Sequence, residues 1–383
     1  MDFNLTSEQV GFRETVRSFA EREIAPIAEE LDAKGEFHYR LLPGMAELGL
    51  FGLLFPEKYG GSAVDTVTYS VVLEELARVD SSVAATVAGQ VNLCGDLIYR
   101  LGTETQRRNW LVPLIRGEML GGFGLTEPGA GSDAGGIATR AEFKGADWLI
   151  NGAKCFISNA GTRMKEIVVI AAVTGIEPAT GKKLISAFAV EGGTPGYRAG
   201  KQYRKMGWRS SATAELIFQD CLVPKDNLLG EEGRGFGQFL QTLNLGRIAI
   251  ASLGLGLARG CLERSLAYAK ERHQFGQPIA KFQAIQFKLA DMALKVELAR
   301  LITHKAAVLR DRGKPFVQAA AMAKLYASEI ATEVSHQAIQ IHGGAGFMDE
   351  CPVSRFYRDA RILELGEGTS EIQRMVIARS LGC

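Results

Sequence analysis

The stretch Asp359–Arg379, DARILELGEGTSEIQRMVIAR, reads as helix, short break, helix. Ala360, Ile362 and Leu363 lead into Leu365, and then Gly366 and Gly368 interrupt the pattern on either side of one acid, Glu367. Thr369 can cap the second helix, and Ile372, Met375 and Val376 restart a helical apolar stripe. Glycine permits backbone angles closed to other residues. A carboxylate between two glycines is also uncrowded by neighbouring side chains. Such a break is a plausible mount for a catalytic base; the ordinary alternative is a solvated Glu in an interhelical turn.

Working outward, the chain holds 383 residues with 44 basic and 43 acidic side chains, a net charge of +1. That balance, without any basic run, argues against a nucleic-acid footprint. Hydrophobic residues make up 46%, ample for a large core or several domains. Six cysteines at 94, 155, 221, 261, 351 and 383 form no C-x-x-C pair and no Cys/His cluster with zinc-ligand spacing. They read as reduced thiols, and no metal is expected. The N-terminus MDFNLTSEQ has acids early and no apolar core, so no signal peptide is expected. The longest apolar run, Ile248–Ala258, falls short of the roughly twenty residues a membrane span needs. A cytoplasmic protein is expected, or a mitochondrial-matrix one in a eukaryote.

Residues 1–118 read helical. Thr6 and Gln9 can form a capping box, and Val10, Val16, Phe19, Ala20 and Ile27 give an apolar face. Val71–Arg78 and Asp96–Leu101 are further helical patches. Between 119 and 230 glycine becomes dense, and Glu166–Val173, Leu184–Val190 and Glu215–Phe218 are β-like. Strands do not alternate with long helices, which favours a small antiparallel barrel or sandwich over a parallel Rossmann sheet. From 231 to 383 helices return. Phe282, Ile285, Leu289, Met292, Val296, Ala299 and Thr303 recur at spacings of three and four, as in a bundle helix. Leu253–Ala258 and Ala319–Ala327 are small-residue faces suited to close packing. The expected fold is multidomain α+β: an N-terminal helical domain, a middle antiparallel β domain and a C-terminal four-helix bundle.

Four stretches in order resemble the signatures of acyl-CoA dehydrogenases: Leu125–Gly135 (LTEPGAGSDAG), Arg272–Gly276 (RHQFG), Gln340–Phe347 (QIHGGAGF) and the Glu367 break. The resemblance spans essentially the whole chain. It implies the three-domain architecture, with the N-terminal domain walling the acyl pocket, and FAD as cofactor. Phe123, Leu125 and Thr126 would lie along the flavin, with Phe156, Ile157 and Ser158 as its second wall. Many relatives carry Trp where Phe156 stands. Arg272, Gln274, Phe275, Gln283, Gln340, Gly343, Gly344, Thr369 and Glu371 would contact the adenosine diphosphate half, Arg272 reaching the flavin of a neighbouring subunit. Guanidinium matches phosphate in bidentate fashion. Ser132, Asn244, Arg247, Gly366 and Gly368 would face the acyl-CoA, although many relatives have Asp where Asn244 stands. Some relatives put the base where Gly246 stands. Glycine cannot do proton chemistry, which leaves Glu367.

The implied reaction is α,β-dehydrogenation of an acyl-CoA thioester to the trans-2-enoyl form. Electrons would pass to an electron-transferring flavoprotein, and the enzyme would be a homotetramer. Many straight-chain members carry Tyr immediately before the catalytic Glu. Gly366 departs from this and predicts a wide pocket, with isovaleryl-like substrates first and straight four- to six-carbon chains second. Two alternatives stay open: an acyl-CoA oxidase using oxygen, and a non-catalytic relative binding flavin and nucleic acid.

Overall fold

The computed structural model describes residues 4–383. Its N-terminal part is helical: α1 (Ser7–Phe19), α2 (Ala25–Lys34), α3 (Leu42–Glu47), α4 (Thr66–Ala77), α5 (Ser81–Ala88), α6 (Asp96–Leu101), α7 (Glu104–Gln106) and α8 (Val112–Ile115). The expected capping box starts α1. The Gln9 N–H donates to Thr6 Oγ1 (3.2 Å), and the Thr6 N–H donates to Gln9 Oε1 (3.0 Å), a device worth about 1 kcal/mol. Val16, Phe19 and Ala20 are buried, whereas Val10 and Ile27 are half-buried. Gln9 is buried in their stead, because its amide also donates to Asp65 on the turn before α4.

The middle part is one eight-stranded sheet: β1 (Met119–Gly124), β2 (Arg140–Phe143), β3 (Asp147–Ser158), β4 (Lys165–Ile176), β5 (Lys183–Glu191), β6 (Tyr197–Gln202), β7 (Thr213–Pro224) and β8 (Leu228–Leu229). The order is β6-β7-β3-β2-β4-β5-β8, with β1 beside β4. Pairing is antiparallel except that β1 runs parallel to β4, and β2 meets β4 at one parallel pair. β1 lies beside β4 in the sheet and is packed against the N-terminal helices. A side chain at Gly121 would meet Cys94 Sγ at 2.8 Å, so only glycine lets the two layers touch.

The C-terminal part is a helical bundle of α9 (Gly235–Glu271), α10 (Gln283–Asp311), α11 (Val317–His342), α12 (Pro352–Leu363) and α13 (Ser370–Ser380). A short hairpin, β9 (His273–Gln274) and β10 (Gln277–Pro278), separates α9 from α10. The small-residue faces do what their composition suggests: a Cβ at Gly254 of α9 would sit 2.7 Å from the Ala327 carbonyl of α11. α9 is long and apolar enough to cross a membrane, but 89% of its most apolar window is buried inside the protein. On α10, Met292, Val296, Ala299 and Thr303 are buried and Ile285 and Leu289 half-buried; Phe282, also half-buried, is the extended residue just before the helix.

Asp359 on α12 ties the three parts together. Its carboxylate accepts from the Trp208 N–H (2.6 Å) of the middle part and from the Ser81 hydroxyl (2.9 Å) at the start of α5. Burial, with Asp80 nearby, pushes this carboxyl up to about 7.

Candidate active site

α12 stops at Leu363, and the Gly366 N–H closes its last turn on the Ile362 carbonyl (2.8 Å). The chain then reverses through Glu367 (φ 54°) and Gly368 (φ 94°) before Thr369 caps α13 by accepting from the Ile372 N–H (3.3 Å). A left-handed glutamate costs about 1–2 kcal/mol, and such strain persists only where the surroundings over-determine it. Here they do. Gln373 Nε2 donates to the Gly368 carbonyl (2.9 Å) and to the Glu367 carbonyl (3.4 Å), and Lys324 Nζ donates to the Gly368 carbonyl (2.8 Å) from α11.

The turn aims the carboxylate at α9. An added Cβ at Gly246 would lie 1.7 Å from Glu367 Oε2 and 3.3 Å from Asn92 Nδ2. Both of those atoms are buried and make no hydrogen bond within the protein. Asn92 lies in a π-helical turn, Gly89–Gly95, and its Oδ1 accepts from the Tyr69 hydroxyl (2.7 Å) of α4. The N-terminal part therefore does supply a wall beside the acid. Among the described residues, nothing accepts from the Glu367 N–H. Desolvation pushes Glu367 up to about 7, with Lys324 and Arg247 pulling it back. An ordinary Glu titrates near 4.3, so this one can take a proton near neutral pH.

Arg247, one helical step from Gly246, is 7% exposed. Its Nη1 donates to Asn244 Oδ1 (2.6 Å), so the Asn244 oxygen is engaged and its NH2 is what remains to offer. Gly366 is open: an added Cβ would meet only the Ile362 carbonyl, at 3.5 Å.

The first group of predicted cofactor residues gathers where β1 and β3 meet. The Phe123 ring lies 5.0 Å from that of Phe239 on α9. Cys155 N–H donates to the Thr126 carbonyl (3.0 Å), which docks the loop after β1 against β3. There β3 bulges, and Phe156 takes φ 61° with its ring 66% exposed. Ile157 departs from the expected second wall. Its side chain is 2% exposed, turned into the sheet core opposite Ala214, so only its backbone can line a site. Ser158 is half-buried, and Ser132 is exposed on the glycine-rich loop.

Sequence reading missed what holds this loop. Lys154, fully buried, donates to Glu127 (2.7 Å) and to the Leu125 carbonyl (3.3 Å), while Glu127 also accepts from the N–H groups of Ala138 and Thr139. It also missed Lys324, Gln373, Asn92 and Tyr69. Only Lys324 left a trace, as the one cation in the small-residue face Ala319–Ala327.

The second group is elsewhere. Arg272, Gln274, Phe275 and Gln283 cluster around the β9–β10 hairpin, with Gln340, Gly343 and Gly344 at the end of α11; all are exposed. Phe275 is 93% exposed at φ 50°, and Arg272 makes no ion pair among the described residues. From Phe239 to Arg272, α9 rises about 50 Å at ~1.5 Å per residue. That is longer than a dinucleotide, so the two groups of one chain cannot hold the same molecule. Thr369 and Glu371 stay with the Glu367 turn. His342 stacks on Tyr268 (4.4 Å) with Nδ1 on the Ala338 carbonyl, and no group of three or more His, Cys, Asp or Glu among the described residues is placed to hold a metal.

A helical–β–helical chain with a buried acid facing a glycine of the long α9 defines a class. Residues 6–118, 122–221 and 233–382 match the N-terminal, middle and C-terminal domain models of acyl-CoA dehydrogenase. A probable acyl-CoA dehydrogenase, YngJ of Bacillus subtilis, is 53% identical over 100% of both chains. The structure of butyryl-CoA dehydrogenase from Megasphaera elsdenii superposes with a TM-score of 0.95 at 44% identity over 100% of both chains. A solved chain described with the electron transferring flavoprotein of Acidaminococcus fermentans gives 0.95 at 45% identity, covering 100% of this chain and 99% of that one. The chain belongs to the acyl-CoA dehydrogenase family; it is an enzyme, a flavoprotein oxidoreductase of that family.

Proposed function

We propose that the enzyme uses FAD to dehydrogenate a short acyl-CoA to its trans-2-enoyl-CoA, with Glu367 as the base. The observation that carries this is the Glu367 carboxylate: raised toward neutrality, its Oε2 unpartnered, and seated against a glycine on α9. Glu367 takes the α-proton, and its free N–H is available to a thioester oxygen as negative charge develops there. Arg247 and Asn244 meet the CoA arm, with Ser132 further out. FAD, when bound, supplies the two-electron acceptor for the β-hydrogen.

The chain suits that cofactor. Phe156 offers an exposed aromatic wall, Thr126 and Ser158 are half-buried on the segments that meet there, and Phe123 lies at the same strand crossing, whereas the Leu125 side chain is buried and only its backbone can line a site. Arg272 is an unpaired cation, and a Cβ at Gly343 or Gly344 would meet nothing within 4 Å, which leaves bare backbone for a phosphate or ribose. Because these lie about 50 Å from Phe239, Arg272, Gln274 and Phe275 serve the cofactor of a second copy. Phe287, Leu294 and Leu298 on one face of α10 are 60%, 59% and 45% exposed, an apolar stripe that a further copy would cover. Both features support the homotetramer. Arg272→Ala is expected to lose a charged phosphate contact worth about 1.5–3 kcal/mol. The purified variant should have a lower flavin-to-protein absorbance ratio than wild type, and an equal ratio would make Arg272 a surface residue only.

An electron-transferring flavoprotein is the acceptor this reading favours, in keeping with the solved chain at 45% identity described with one. Six unpaired cysteines support a reducing, cytoplasmic compartment. A short acyl chain accords with the likeness to butyryl-CoA dehydrogenase. The open side of Gly366 keeps branched chains in play beside straight ones. Turnover of straight, branched and aromatic acyl-CoAs with an artificial electron acceptor tests the whole reading; no reduction by any of them sinks it. Within that screen, each methyl group in an apolar pocket is worth roughly 1–3 kcal/mol. Gly366→Tyr is therefore expected to cut kcat/KM for isovaleryl-CoA at least tenfold more than for butyryl-CoA. An equal fall for both would mean that other side chains set the pocket width.

A further inference from the structure

Lys324 is absent from the residues that the resemblance assigns to acyl-CoA or flavin, yet its placement beside Gly368 demands a role. Its side chain is 0% exposed inside the bundle, and no carboxylate lies within ion-pair distance of it among the described residues. Burying an ammonium without a counter-ion in contact is strongly unfavourable, so the fold would shed this charge unless something required it. The atom it does reach is the Gly368 carbonyl (2.8 Å), in the turn that carries Glu367. Gln373, also 0% exposed, reaches the same oxygen from α13. Two buried donors from two helices thus converge on one carbonyl next to a glutamate in a left-handed conformation.

We infer that Lys324 is a positioning residue for the base: its ammonium pins the Gly368 carbonyl and sets one fixed positive charge behind the Glu367 carboxylate. The inference rests on Glu367 being the base. The hydrogen bond fixes where the turn puts the acid. The charge favours its ionised form, so that a carboxylate deprived of water is still anionic when substrate arrives. Other charged groups face the pair as well. Arg247 of α9 acts on both Glu367 and Lys324, Glu364 and Glu329 act on Lys324, and the Tyr69 hydroxyl of α4 feels Glu367. Burial pulls Lys324 itself down to about 8, with Glu367 opposing. The charge is therefore present on the acid side of the Glu367 titration and fades as the pH rises through about 8.

The test compares wild type, Lys324→Met, Lys324→Gln, Lys324→Arg and Glu367→Gln as flavin-loaded enzymes. Two readouts are needed: the pH dependence of kcat/KM with butyryl-CoA, and a difference-infrared titration of the Glu367 carboxyl without substrate, its band assigned by its loss in Glu367→Gln. Lys324→Met and Lys324→Gln should each move the infrared midpoint and the acid limb upward by about one pH unit, a tenfold change in the ionisation constant. Lys324→Arg should restore both. Gln373 still holds the turn in these variants, so flavin content should not change. If Lys324 only packs the bundle, the variants will lower the melting temperature and leave both midpoints where wild type has them, which overturns the inference. If Glu367→Gln turns over like wild type, the assignment of the base fails first, and that outcome is distinct from an unmoved midpoint.

Discussion

Glu367→Gln is expected to keep its fold, its flavin and its affinity for acyl-CoA while losing roughly 100- to 10,000-fold in reductive rate, the usual cost of removing a positioned general base. The substitution is close to isosteric, and the turn that holds the residue is gripped through backbone carbonyls by Lys324 and Gln373, not through its carboxylate. What changes is the one atom pair that can accept a proton. Gly246 opposite is silent, and Asn92, which also faces Gly246, is an amide. Rapid mixing with butyryl-CoA should show flavin bleaching slowed by that factor, and bleaching at the wild-type rate would place the base elsewhere. The same geometry sets the pH dependence. Because burial raises Glu367 to about 7, the base is protonated and idle below that pH and ionised above it. Wild-type kcat/KM should therefore climb as pH rises through about 7, whereas the residual rate of Glu367→Gln should not respond there.

The shape of the Glu367 turn was legible because its signals are local. Two glycines, a capping threonine and the return of an apolar stripe are all within reach of one another along the chain, as are the Thr6–Gln9 box and the β-like runs that became β4, β5 and β7. The parallel placement of β1 was not legible, since a single glycine-rich strand carries no sign of which partner it will meet. The inward turn of the Ile157 side chain was not legible for a related reason. Strand alternation says that neighbours face opposite ways, but the bulge at Phe156 decides which way, and a bulge is set by the pairing with β7. The supporting polar groups were hidden by distance. Lys324 reaches Gly368 across 44 positions, Lys154 reaches Glu127 across 27, and Tyr69 meets Asn92 across 23. A lone Lys, Asn or Tyr in an apolar helix says nothing about what it will find there. That Arg272 and the β9–β10 hairpin would lie about 50 Å along α9 from Phe239 was not legible either, since the sequence does not say that one unbroken helix joins them.

Gly246→Ala is the second large effect, and it should split stability from activity. A methyl group at this position would lie 1.7 Å from Glu367 Oε2 and 2.9 Å from its carboxyl carbon, with Asn92 Nδ2 at 3.3 Å. Real carbon atoms do not approach so closely, so something must move, and the freest thing is the carboxylate. Displacing a reacting group by about 1 Å can cost on the order of a hundredfold, and that is the loss in kcat expected here. The helix should not suffer. Gly246 sits in the interior of α9, where alanine is favoured over glycine by about 0.8–1.0 kcal/mol; what the displaced carboxylate costs offsets part of that gain. The melting temperature should therefore hold within a few degrees of wild type while turnover collapses, with flavin content intact. A variant that melts early and keeps its specific activity would show that Gly246 serves helix packing and that the carboxylate rests elsewhere. The expected split says why a residue unfavourable in a helix stands at this point: α9 gives up a side chain there so that the acid from the far end of the chain has somewhere to lie.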